Sequence, residues 1–312
     1  MDVICVGISV ADAIGRPIDV IPEKARLALF DRMELHSGGC ALNSAIALAK
    51  LGVSTGLISK VGNDGFGDFL LKECGKVGVD TRGVVQDDQD STAFTFIMVS
   101  SDGERRFLHT LGVNATFCFE DVNRDLFSEA KILCIGGAYL MPEFDGEDAG
   151  KTLAAAREAG LSTCMDTAYN DRIENWLELM EPCFPHLDYF VPSVEEAEAI
   201  SGQSNPEDMA KFFKDKGCQV VAIKLGNQGS YLLTDDEGEL FPIYKIDAID
   251  TSGAGDSWVA GFLTGILNDL SLNDCAELGN AAAAHCIMAV GCTTGVKPLA
   301  DVQAFQDTAE RG

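Results

Sequence analysis

Residues 249–256 read Ile249-Asp250-Thr251-Ser252-Gly253-Ala254-Gly255-Asp256 and run directly into SWVAGFLTGIL at 257–267. The second part mixes small and large apolar residues and reads as a buried helix. The first part is a loop of small residues entering that helix. Small side chains let an anion approach the main chain. The amides of Gly253, Ala254 and Gly255 can converge on it, and the helix N-terminus adds about half a positive charge. Such an anion pocket suits the charge that develops on a phosphoryl group in transfer. Asp256 falls in the first helical turn, close to the same pocket, where it could accept a proton from an attacking hydroxyl. The helix dipole favours its ionised form. Read from these residues alone, Asp256 could equally be a capping carboxylate beside a tight glycine turn.

Upstream of that loop, short β-branched runs alternate with helical patterns. Strands are predicted at 3–8, 55–61, 131–135, 161–166, 189–192 and 220–225. Helices are predicted at 40–51, ended by Gly52, at 66–77, and near 145–159, 194–201 and 206–216. The alternation argues for an α/β fold with a mostly parallel central sheet and helices on both faces. Two regions break the rhythm. Residues 15–37 hold short extended pieces, and 91–110 reads as a β-hairpin turning at Ser101-Asp102-Gly103. Together they predict a small β-sheet lid, built from segments at about 12–37 and 91–110 of a single domain spanning 1–312.

Composition excludes several classes. The 312 residues carry 23 Lys and Arg against 49 Asp and Glu, a net charge of −26. Phosphate backbones need clustered cations, and Arg105-Arg106 is the sole arginine pair. Nucleic acid and anionic membrane surfaces are therefore excluded as partners. That arginine pair is also the only basic cluster suited to a phosphorylated substrate, and in a hairpin it reads as solvated. The eleven cysteines include no Cys-x-x-Cys pair; they read as small core hydrophobes in a reducing cytoplasm. His36, His109, His186 and His285 lack metal-ligand spacing. No basic leader precedes the first strand and no apolar run is long enough to span a bilayer, so the expected location is cytoplasmic. Gly146-Glu147-Asp148-Ala149-Gly150-Lys151-Thr152 looks like a P-loop, but it has three residues between its glycines and two acids in the loop, which would repel phosphate.

The string at 250–256 matches the pattern Asp-Thr-x-Gly-Ala-Gly-Asp. Near the other end, Ser37-Gly38-Gly39-Cys40-Ala41-Leu42-Asn43 precedes a small-residue helix and Lys50-Leu51-Gly52, and Ser59-Lys60-Val61-Gly62-Asn63-Asp64-Gly65-Phe66-Gly67 contains a G-x-D-x-x-G segment. In this order, over about 3–298, the chain resembles the ribokinase-like (PfkB-type) carbohydrate kinases. The resemblance implies a ribokinase-like three-layer fold. It also implies ATP-dependent, magnesium-assisted phosphorylation of a hydroxyl on a small sugar or sugar-like molecule, with Asp256 as general base and an anion hole at Gly253, Ala254 and Gly255.

Further roles follow from the same resemblance. Asp12, Gly38, Gly39 and Asn43, with Asp256, would hold the sugar. Ser193, Lys224, Gly226, Gly229 and Gly255 would meet the nucleotide, as would Asn280, which is taken to open an Ala-rich helix. Glu196 would support magnesium. Asp250 and Ser252, with main-chain oxygens near Cys286, Ala289, Gly291 and Gly295, match a potassium site found in some members. Paired lids imply a homodimer. Ser193 stands where the family usually has Asn, which weakens an amide contact to phosphate there. Cys40 and Val10 stand where ribokinase has Lys and Asn, which disfavours ribose. A neutral monosaccharide is the expected substrate, ahead of a sugar acid or nucleoside. A vitamin-precursor kinase of the same fold and a non-catalytic binding regulator are the alternatives.

Overall fold

The computed structural model describes residues 1–234 and 238–312. The strands are β1 (Val3–Gly7), β2 (Val10–Arg16), β3 (Arg32–Gly38), β4 (Thr55–Gly62), β5 (Asp80–Asp87), β6 (Phe94–Val99), β7 (Arg105–Thr110), β8 (Ile132–Ala138), β9 (Ser162–Thr167), β10 (Tyr189–Phe190), β11 (Val220–Lys224), β12 (Ser230–Leu233) and β13 (Gly238–Phe241). The helices are α1 (Cys40–Lys50), α2 (Gly65–Val77), α3 (Glu147–Glu158), α4 (Trp176–Met180), α5 (Val194–Ser201), α6 (Pro206–Asp215), α7 (Ala254–Leu267), α8 (Leu272–Ile287) and α9 (Leu299–Thr308).

Among the described residues the main sheet has nine strands, in the order β13-β12-β11-β10-β9-β8-β1-β4-β5. Pairing is parallel from β11 through to β5, and β12 and β13 extend one edge antiparallel. The central strand β1 accounts for the layering. All five of its residues are buried. Ile4 and Val6 pack with Leu133, Met165 and Phe190, while Val3 and Cys5 pack with Leu42, Val259 and Phe262. Strand alternation thus divides one continuous apolar run between two cores. Helices α3 to α6 complete the first through Leu153, Met180, Ile200 and Phe213. Helices α1, α2, α7, α8 and α9 complete the second through Ile46, Leu70, Phe262, Leu278 and Val302. The result is the expected three-layer α/β architecture.

A separate four-stranded sheet, ordered β3-β2-β6-β7, stands where the sequence predicts the lid. The β6–β7 hairpin is closed by Ser100, whose N–H donates to the Glu104 carbonyl at 2.9 Å. The intervening residues 17–31 form no strand. The cysteines behave as core residues: all eleven are free and eight are buried, with Cys5, Cys134 and Cys164 side by side in register across β1, β8 and β9. No helix among the described residues is long and apolar enough to cross a membrane.

Two expectations shift. The strand predicted at 189–192 contracts to the two residues of β10. Asn280 does not open its helix. Ser271 caps α8 nine residues earlier, its hydroxyl accepting from the Asp274 N–H at 3.1 Å, so Asn280 lies mid-helix.

Candidate active site

Helix α7 begins at a left-handed residue. Gly253 has φ 74° and a Cβ there would collide with the Cys292 carbonyl oxygen, so only glycine turns the chain into the helix here. The first amides of α7 lack acceptors within the helix; that of Ala254 reaches back to Thr251 O at a long 3.3 Å. Lys224, at the end of β11, brings its ammonium against Gly255, where it is the nearest neighbour a Cβ would meet, at 3.2 Å.

Asp256 sits one residue further, 8 % exposed. Asn43 on α1 donates from Nδ2 to its Oδ2 at 2.8 Å, and the Ser44 hydroxyl donates to its main-chain oxygen at 3.3 Å. The sequence expectation was a carboxylate kept ionised by the helix dipole. Burial instead dominates, and with the nearby Asp166 charge it pushes Asp256 up to about 6, against the lowering effect of Asn43 and Lys224. The group remains mostly ionised at neutral pH and is more basic than an ordinary carboxylate.

The residues expected to hold the sugar are contiguous with it. Asp12 on β2 is 8 % exposed, and Gly38 lacks a side chain because a Cβ would collide with the Asp12 carboxylate. Gly39 caps α1, and its carbonyl accepts from the Asn43 N–H at 2.8 Å. Asp12, Gly38, Gly39, Asn43 and Asp256 therefore form one chain of contacts. Burial raises Asp12 to about 6, although the Thr95 hydroxyl and the His36 ring draw it back. The register of the small sheet aligns His36, Asp12, Thr95 and His109 in one row. His109 Nδ1 lies 3.1 Å from Thr95 Oγ1, and burial lowers its imidazole below the ordinary range, favouring the neutral ring.

On the other side of the α7 N-terminus lies a cavity of about 790 Å³, of the size that holds nucleotide-sized ligands. Ser193, Lys224, Gly226, Gly229, Gly255 and Asn280 all line it, opposite a wall that includes Ile243, Ile246 and Ile287. Asn280 has no amide capacity left for a ligand. Its Oδ1 accepts from Trp258 Nε1 at 2.8 Å and Ser230 Oγ at 3.1 Å, and its Nδ2 donates to the Phe241 and Pro242 carbonyls at 3.1 and 3.2 Å. It shapes the wall. Lys224 is buried in a 2.6 Å ion pair with Asp166; burial works to lower its ammonium, and Asp166 more than offsets this. Glu196 on α5 is buried with no hydrogen-bond partner at Oε2. Burial raises it to about 7, helped by Asp166 and opposed by Lys224. Glu196 is not itself in the cavity lining, where Ser193 and Glu195 stand, but its unpartnered buried oxygen fits a cation or its water. No cluster of three metal-ligating side chains exists among the described residues, so such a cation would rest largely on phosphate oxygens.

The residues expected to bind potassium have a different arrangement. Asp250 is 5 % exposed and both its oxygens are occupied by N–H donors. Oδ1 takes the Ser252 N–H at 2.9 Å and Arg105 Nη1 at 3.0 Å, and Oδ2 takes the Gly291 N–H at 3.0 Å. Arg105 Nη1 also donates to Ser252 Oγ at 3.1 Å. Gly295 packs against the His285 and Cys286 carbonyls. A monovalent cation needs bare oxygens, so these residues do not fit one at Asp250. The sequence reading of Arg105 as a solvated hairpin residue is corrected by the same contacts, which cross from β7 to the loop before α7.

The profile of the pfkB family carbohydrate kinases matches residues 1–298. The chain belongs to that family. It is 31% identical over 282 residues to 2-dehydro-3-deoxygluconokinase of Bacillus subtilis, covering 86% of this chain and 85% of the relative. Among solved structures it resembles ribokinase of Thermotoga maritima, with a TM-score of 0.84 at 26% identity, covering 98% of this chain and 99% of that one. Ribokinase of Arabidopsis thaliana, solved with ribose and ATP, shares the fold at a TM-score of 0.87 and 21% identity, covering 98% and 99%. This PfkB chain is an ATP-dependent carbohydrate kinase.

Sequence reasoning about the PfkB chain missed Asp166, Thr95, His109 and the pairing of Arg105. Asp166 had a signal: an acid ending a buried apolar strand needs a cation, and Lys224 ends another such strand two places along the sheet. Thr95 and His109 had none, because their alignment with Asp12 depends on cross-strand register.

Proposed function

We propose that this kinase transfers the γ-phosphoryl group of ATP to a hydroxyl of a neutral monosaccharide, with Asp256 as the base. The observation that carries the reading is the position of Asp256 between two differently built spaces. On one side lies the Asp12–Gly38–Gly39–Asn43 cluster, and on the other the apolar-walled cavity of about 790 Å³. The hydroxyl proton passes to Asp256 Oδ as the sugar oxygen bonds to the γ-phosphorus and the bond to the ADP oxygen breaks. Amides of Gly253, Ala254 and Gly255, with the Lys224 ammonium beside them, balance the charge that builds on the phosphoryl oxygens. Magnesium, when bound with ATP, neutralises phosphate charge, and Glu196 would hold it through water.

A neutral substrate is favoured because the polar row beside Asp12 carries hydroxyl and imidazole groups, while Arg105 is already paired with Asp250. The Arabidopsis relative's complex with ribose and ATP supports the two-ligand arrangement. The free thiols suit a reducing cytoplasm.

The test is ADP release with ATP, magnesium and a panel of sugars. Asp256→Asn is expected to lose ~10²-fold or more of the sugar-dependent rate while still binding both ligands, seen by thermal shift. Turnover at the parental rate would refute the base assignment.

A further inference from the structure

We infer that Arg105 is a tethered counter-cation, a positioning residue that stands in for a free monovalent ion at Asp250 and makes the shape of the phosphate-facing loop depend on a seated β6–β7 hairpin. The inference rests on the kinase reading above for its consequence, though not for its geometry.

A carboxylate as buried as that of Asp250 requires compensation. Two main-chain N–H groups, from Ser252 and Gly291, supply part of it without any net charge. The full positive charge comes from Arg105, whose Nη1 joins Asp250 Oδ1 and Ser252 Oγ at once. These are residues 250 and 252 of the loop that turns at Gly253 into α7, so the guanidinium fixes the approach to the anion-facing amides. Arg105 is the first residue of β7. Its charge reaches Asp250 only when the hairpin lies against the loop, across a cleft of about 170 Å³ whose other walls include Ile14, Ile97, Val99 and Val290. Those apolar walls keep the local dielectric low and strengthen the pair. Arg16 also lines the cleft, but it is held by Glu34 at 2.9 Å, which leaves Arg105 as the ion for Asp250.

A free ion and a tethered one predict different behaviour. An ion drawn from solvent makes nucleotide affinity and stability depend on which salt is present. A tethered guanidinium makes them indifferent to it, and charge-removing substitution creates the dependence.

The experiment compares the parental protein with Arg105→Gln, Arg105→Ala and Arg105→Lys, each in potassium chloride and in tetramethylammonium chloride at equal ionic strength. Tetramethylammonium is too bulky for an Asp250-sized site. The readouts are melting temperature and Mg-ATP affinity by calorimetry, with sugar-dependent ADP release measured alongside. The parental protein and Arg105→Lys are expected to give the same values in both salts. Arg105→Gln and Arg105→Ala are expected to bind Mg-ATP about tenfold more weakly in tetramethylammonium, a coupling of ordinary size between sites, and to recover in potassium. Arg105→Gln keeps the stem that packs in the cleft, so it carries the test should Arg105→Ala not fold. Parental affinity or melting that rises saturably with potassium would overturn the inference. So would Arg105→Gln behaving alike in both salts, or Arg105→Lys acquiring potassium dependence. Absence of sugar-dependent ADP release from all proteins would count against the proposed reaction, while melting and Mg-ATP binding would still decide the role of Arg105.

Discussion

Asp256 shows how far one side chain's surroundings can set its proton affinity. Burial beside the Asp166 charge holds its carboxyl at about 6 instead of the usual range near 4. The base form is lost as pH falls through about 6, so sugar-dependent kcat/KM is expected to drop about tenfold per unit below that point. A profile flat down to pH 5 would show that another group accepts the proton. Asn43→Ala should move the inflection upward, since its amide favours the ionised form. Asp256, Asn43 and the glycines were legible in the sequence because each lies in a contiguous string whose spacing survives folding. Asp166 and Lys224 were legible only in part. Their pairing joins two strand ends 58 positions apart, and neither end names its partner.

At the scale of elements, the segment at 59–67 acts as a joint. The Asp64 carboxylate caps α2 by accepting from Phe66 N and Gly67 N at 2.9 Å each, and also takes Thr92 N at 2.7 Å and Thr92 Oγ1 at 2.8 Å. Thr92 leads into β6, so one side chain ties a body helix to the small sheet. Asp64→Ala removes a cap worth about 1 kcal/mol and leaves a Thr92 N–H without its acceptor, which costs about 1–3 kcal/mol more. Urea unfolding is expected to register that loss, and amide exchange should quicken across β6 and β7 first. Exchange confined to α2 would show that the tie to Thr92 is unimportant. The sequence marked this motif without its purpose, because Thr92 lies beyond it. Strands β5 and β13 went unread for a related reason. At the sheet edges fewer residues are buried, so the apolar runs that betray β1 and β8 are absent.

For the whole molecule, charge and shape each lead to an expected outcome. Burial raises Asp12 and Asp256 to about 6, and Asp145 and Glu196 to about 7. Between roughly pH 5 and 7 these four carboxyls bind more protons in the folded state than in the unfolded chain; they outnumber His109 and His285, whose lowered imidazoles act the other way, and stability rises as pH falls through that window. Acids held below their usual range, such as Asp64 and Asp250, titrate lower and do not reverse the trend there. The net charge of −26 acts in the same direction. The ligand-free protein should melt at a higher temperature at pH 6 than at pH 8; the opposite order would mean these carboxyls are solvated. The outer face of the small sheet, opposite the Asp12 row, exposes Met33 at 62% on one edge strand and Leu108 at 61% on the other. We propose that two such faces pair in a homodimer. Light scattering should give twice the chain mass for the parental protein and the single mass for Leu108→Asp; a parental monomer at working concentration would remove the dimer from the picture.

Only Ile8 and Ser9 separate β1 from β2. The acid proposed to hold the sugar thus rides on the small four-stranded sheet that the sequence reads as a lid, whereas Asn43 and Asp256 ride on helices of the body. An alcohol whose shape reaches only one of these two mounts cannot bridge them. Discrimination between sugars would then be exercised as a failure to shut rather than a failure to stick.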